Sequence, residues 1–184
     1  MNYYIIKESS KGISVRSKLK KIDKIKNFIQ KDKYFKYLFN KYNKDISMID
    51  EIPIDFVNDI EVSAQTINGS IKLNEELFNK AFSLIMRYVV HELVHVFQHI
   101  DGLKDDGSKK NYLDNKDEVE AFQEQIKFDA NNKGIGEAVS YTKKLIKFHK
   151  YPKNKRDQKL DELTEGLEDV KNNTNKSRGD GEGS

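Results

Sequence analysis

The stretch FSLIMRYVVHELVHVFQHI, Phe82 to Ile100, is apolar on nearly every face when wound at 3.6 residues per turn. It predicts a helix lying inside the molecule and ending near Gly102, which suits a C-terminal cap. Arg87, His91, Glu92 and His95 interrupt it, so it does not have the makings of a membrane span. The N-terminus MNYYIIKESS lacks a charged leader followed by a long apolar run, so neither a signal peptide nor membrane association is expected.

Working outward, Ile60, Val62 and Ala64 alternate with polar residues, as do Ile71 and Leu73. Asn68-Gly69 between them tolerates positive φ, which predicts a hairpin with a two-residue turn. Asn74 then reads as a helix N-cap, with Glu75 and Glu76 where the helix dipole favours negative charge. On the other side, a polar loop leads to a predicted helix from about Lys116 to Ala130, with Val119, Phe122, Ile126 and Ala130 on one face. Another helix is expected over residues 136–148 and a charged one over residues 157–170. Toward the N-terminus, Leu19, Ile22, Ile25, Phe28 and Ile29 recur at helical spacing, and Phe35, Leu38, Phe39 and Tyr42 continue it in a second helix. Short strands are expected at Tyr3–Lys7 and Ile13–Val15. These elements amount to an α+β fold, mostly helical, with a small twisted sheet packed beside a buried helix.

With 184 residues, the chain is long enough for one core, so residues 1–150 are read as a single domain. Residues 151–184 form a charged helix and a polar tail expected to be partly disordered. Residues 1–47 hold 13 Lys or Arg against 4 Asp or Glu, a net +9, whereas residues 48–149 hold 12 against 18, a net −6. The basic segment is either a solvated lysine face or an electrostatic footprint for nucleic acid or an acidic partner. Tyr34, Tyr37 and Tyr42 within it could stack on bases, but helical periodicity accounts for most of them.

There is no cysteine, so His, Asp and Glu are the strong metal ligands available. In HELVH, His91 and His95 are four residues apart, which in a helix puts both imidazoles on one face about 6 Å apart along the axis, close enough to grip one ion. Zinc suits two imidazoles, a third protein ligand and a water whose pKa it lowers from about 15.7 toward 7. Glu92 then stands beside the water as general base and acid. The alternative is a set of core histidines satisfied by hydrogen bonds, but three polar groups on a buried apolar helix need a compensating partner. His99 lies about 12 Å along the axis from His91, too far for the same ion, and is read as structural or exposed.

HELVH, the preceding hairpin, the strand SIKL and an acidic helix containing Glu118-Val119-Glu120-Ala121 together resemble a minimal gluzincin, the glutamate-zincin clan of zinc peptidases. The resemblance covers about residues 58–130. It implies one Zn²⁺ per chain held by His91, His95 and a downstream glutamate, and a strand before the active helix, residues 70–73, that binds peptide in extended form. Glu118 stands three residues before Ala121, as the ligand does in many relatives, and lies roughly 85° from the centre of its helix's apolar stripe against about 115° for Glu120. Such relatives usually carry Asp or Asn four residues after the ligand, where this chain has Phe122, while Glu120 has Glu124. Glu118 also fits a capping box with Asn115. Glu118 is favoured and Glu120 stays open. The clan also implies a Tyr or His that stabilises the oxyanion, for which Tyr112, Tyr141 and His149 are candidates.

Two functions are therefore expected to compete. One is a zinc metallopeptidase acting on protein or peptide substrates, with Glu92 as base. The other is a catalytically silent zincin-fold module whose basic N-terminus docks nucleic acid or an acidic protein. The first favours a cytoplasmic location and a hybrid of the two a nucleoprotein particle.

Overall fold

The computed structural model describes residues 12–102 and 111–168. Their architecture is α+β: six helices and a three-stranded sheet. The expected strand at Tyr3–Lys7 and the polar tail lie outside the described residues. The strand expected at Ile13–Val15 is replaced by a helix start. Ser14 is extended and its hydroxyl accepts from the Ser17 N–H, so Val15 opens α1 (Val15–Lys31). Ile22, Ile25 and Ile29 form its buried stripe. Asp32 ends α1 and caps α2 (Lys33–Lys41), accepting from the N–H groups of Tyr34 and Phe35. Both helices turn their apolar faces into the main core, and Tyr34 goes with them, its hydroxyl donating to the Glu124 carbonyl at 2.6 Å. Tyr42 packs its ring on Phe97. Of the three tyrosines, Tyr37 is the one left largely exposed.

Strand β1 (Ile54–Val57) is not anticipated by the alternation pattern. It runs parallel to β3 (Ser70–Asn74), and β2 (Ala64–Ile67) runs antiparallel to β3 on the other side, giving the order β1-β3-β2. Ile54, Phe56, Ile71 and Leu73 put their side chains in the core. The predicted turn is present: Asn68 and Gly69 take φ of 49° and 74°, the signs a tight hairpin needs. The hairpin is shorter than expected, because the Asn74 amide donates to the carbonyls of Ile60 and Val62 and holds them outside the strand ladder. Asn74 also caps the short turn that follows, accepting from the Glu76 N–H.

Helix α3 spans Phe82–Ile100, as its sequence predicts, and Gly102 follows it at φ 77°. It lies between the sheet and α4 (Lys116–Lys133). Burying each of its large apolar side chains contributes roughly 1.5–3 kcal/mol. Helix α4 is buried on two sides: Ala121 and Phe128 enter the main core, while Val119, Phe122, Ile126 and Ala130 belong to a second core. That second core is completed by α5 (Ile135–Phe148), α6 (Arg156–Leu163), Tyr151 and Leu167. The charged C-terminal helix, expected over residues 157–170, is interrupted: helical backbone resumes at residues 167–168 after a turn that ends α6. Helix α6 stops before Gly166, whose φ of 77° bends the chain so that Leu167 returns to the core. No described helix is long and apolar enough to cross a membrane.

Candidate metal centre

The i, i+4 spacing on α3 puts the His91 and His95 side chains on the flank of the helix that faces α4, and Glu118 reaches them from the first turn of α4. His91 Nε2 and His95 Nε2 are 3.1 Å apart, and Glu118 Oε2 is 3.3 Å from the first and 3.5 Å from the second. A four-coordinate ion with bonds of about 2.0–2.2 Å requires neighbouring donors about 3.3–3.6 Å apart. The two distances to Glu118 lie in that range and the His91–His95 distance falls slightly below it, so the three atoms approximate one face of a tetrahedron around such an ion. Glu118 Oε2 is buried and, although close to both rings, is not aligned to accept a hydrogen bond. A buried carboxylate oxygen without a partner is costly, and a cation at the centre of the three donors removes that cost. His91, His95 and Glu118 can hold a metal ion.

The electrostatics follow from the crowding. Burial alone would raise the Glu118 carboxyl, but the two imidazoles against it bring it down to about 2. For His95, burial works downward, yet Glu118, with Glu92 and Gln98 adding to it, pushes the ring up to about 9.

Asn115 caps α4 by accepting from the Asp117 N–H, while its own N–H goes to the Tyr112 carbonyl, so Glu118 is not engaged in a capping box. Glu120 points elsewhere. It accepts from the Gln98 amide at 3.0 Å and faces Lys41. Gln98 in turn holds His95 through Nδ1 at 2.8 Å and donates to the Asp117 carbonyl. The bond from Nδ1 directs Nε2 toward the other two donors, the orienting role such contacts play around bound metals. His91 is steadied differently: its ring packs on Phe122 at 4.5 Å between centroids and its buried Nδ1 has no hydrogen-bond partner. Phe122 thus fills with an apolar ring the position where the resemblance leads one to expect Asp or Asn.

Comparison of the chain with protein-family models, with curated proteins and with solved structures finds no match in any of the three. The reading of the site accordingly rests on its geometry.

Glu92 is buried beside the three donors, and the Thr66 hydroxyl of β2 donates to its Oε2 at 2.8 Å. Thr66 and Gln98 were missed in the sequence. Gln98 was legible as the i+3 neighbour of His95, but nothing local pairs Thr66 with a residue 26 positions away. Glu92 also faces two cavities that share the His91–Glu92 wall. Tyr112 lines both cavities and stacks on His149, with ring centroids 5.0 Å apart and planes 13° apart. Burial holds the His149 imidazole below its ordinary value, so it is neutral at pH 7. Tyr141 lines the second cavity alone. Its hydroxyl accepts from the Gln125 amide and its ring lies under the Arg87 guanidinium. Burial pushes its phenol up to about 12. His99 is exposed at the end of α3.

The strand expected to receive substrate needs correction. β3, residues 70–74, has β1 on one edge and β2 on the other, so its backbone groups are already paired. β2 is the strand beside the site, and among the described residues its other edge pairs with no strand.

Proposed function

We propose that the chain is a zinc-dependent metallopeptidase in which His91, His95 and Glu118 hold the ion and Glu92 is the general base. The observation that carries this reading is the near-tetrahedral spacing of three donors, His91 and Glu118 buried and His95 partly so, with the separate carboxylate of Glu92 fixed beside them. A purely structural site has no need of Glu92. Zinc, when bound, would supply Lewis acidity that lets water react near neutral pH.

The remaining work falls to side chains. Thr66 binds one oxygen of Glu92 and so aims the carboxylate into the cleft, where it can take a proton from water and return it to the leaving amine. Gln98 keeps His95 in the tautomer with Nε2 directed at the ion. An extended peptide would lie along the outer edge of β2, which pairs with no strand among the described residues, and join the sheet as an added strand. Tyr112 lines both cavities and His149, stacked on it, lines the second, within the cleft such a peptide would cross; the Tyr141 hydroxyl is engaged by Gln125.

Metal analysis of the purified protein, with casein digestion in the presence and absence of a chelator, tests the reading. About one zinc per chain is expected, lost in His91→Ala and in His95→Ala because two ligands hold the ion poorly. Zinc retained in full by both variants would overturn the site. Glu118→Gln is expected to weaken zinc binding strongly, and the larger effect in Glu120→Gln would move the third ligand there.

A further inference from the structure

Two cavities meet at the wall formed by His91 and Glu92, and they differ in chemistry. The first, about 460 Å³, is bordered by Gln65, Thr66, Asn68, Asn115, Asp117 and Glu118, with no Lys or Arg among its described lining residues. The second, about 760 Å³, is walled by the rings of Tyr88, Phe122, Tyr141 and Phe148 together with Leu145 and Val62. A space of that size accommodates a large side chain. Lys144 is the one Lys or Arg on its described wall, opposite in charge to Glu61 on the loop before β2. Lys144 is exposed and makes no ion pair among the described residues.

The surroundings extend the contrast. Residues 143–156 contain seven Lys or Arg and no Asp or Glu; of these Lys144 lines the second cavity, while Lys143, Lys147 and Arg156 border a separate one. Phe148 lies within this stretch, with 79 % of its surface exposed, at the mouth of the second cavity. A chain crossing the metal centre would therefore have acidic and polar walls on one side of Glu92, and an aromatic pocket carrying Lys144 on the other.

Resting on the peptidase reading, we propose that the cleft selects the bonds it cuts. The substrate carries a large apolar side chain next to the scissile bond, seated in the second cavity. An acidic residue lies one or two positions beyond it and meets Lys144, and polar residues lie across the cut.

The test uses the full chain loaded with zinc and a peptide library of random sequence, with cut positions read by mass spectrometry. Leu, Phe, Tyr or Met is expected over Gly by about 10- to 200-fold on one side of the cut, the range hydrophobic pockets reach. Lys144→Glu should exchange the acidic preference for a basic one and leave the apolar preference in place. Phe148→Ser, also at an exposed position, should weaken the apolar preference several-fold. A second readout is independent of turnover: zinc-free Glu92→Gln protein is titrated with fluorescein-labelled peptides that differ only in Leu or Gly at the selected position, followed by anisotropy. Tighter binding of the Leu peptide is expected. Cleavage without side-chain preference, or equal binding of the two peptides, overturns the proposal. Selective binding with no cleavage of any peptide overturns the peptidase reading and leaves the cleft's selectivity standing.

Discussion

The seam between α3 and α4 contains two buried clusters of charge that are built differently. At one end Arg87 pairs with Asp129 at 2.5 Å, Lys133 approaches the same carboxylate at 3.3 Å, and the guanidinium lies on the Tyr141 ring. Its cations and its anion are all side chains. One turn further along α3, His91, His95 and Glu118 meet with Glu92 beside them, and no Lys or Arg is in the group. The first cluster is neutralised by the chain itself. The second has no Lys or Arg in it and can hold a metal ion. Damage to the first should therefore appear as lost stability, and damage to the second as lost metal or lost turnover.

The largest expected effect is in turnover. Glu92→Gln keeps the shape and a hydrogen bond to Thr66 but has no basic oxygen, so cleavage should fall by about 10²- to 10⁴-fold. Zinc content and melting temperature should stay at the parental values. A variant that binds zinc, melts like the parent and cleaves as fast would make the proposed mechanism wrong.

Asp129→Ala should do the opposite. It leaves Arg87 buried without its partner, which costs about 3–5 kcal/mol, measured as a shift of the urea midpoint. Zinc per chain should be unchanged at temperatures where the variant is folded. Loss of zinc from the folded variant would show the two clusters to be one unit.

A smaller change is expected from Gln98→Ala, which removes the acceptor at His95 Nδ1. Contacts of this kind are worth about 10- to 100-fold in metal affinity, readable by competition with a chromogenic chelator. Parental affinity would mean that packing alone orients His95. Least of all, Tyr37→Ser should change stability by no more than about 0.5 kcal/mol, because Tyr37 is 48 % exposed. A larger loss would assign that ring a role the packing of Tyr34 does not share.

The amino-acid sequence by itself determined those features that depend on neighbours along the chain. Helix α3 runs over the predicted residues because its apolar content is continuous and its end is marked by Gly102. The hairpin turn follows from Asn68-Gly69, and His91, Glu92 and His95 share a site because one helical turn aligns them. Tertiary structure decided what depends on distant partners. Strand β1 pairs with β3 seventeen positions later in a parallel register that alternation cannot encode. Among the described residues, β2 and not β3 lies at the edge of the sheet, because β1 covers the other side of β3. Glu118 and Glu120 lie two residues apart, with similar local surroundings in sequence. Packing α4 against α3 turns the first to the histidines and the second to Gln98. Thr66 joins Glu92 only once the sheet lies on α3. Local periodicity fixes which face a residue occupies, but the identity of the group opposite it is set by how the elements pack.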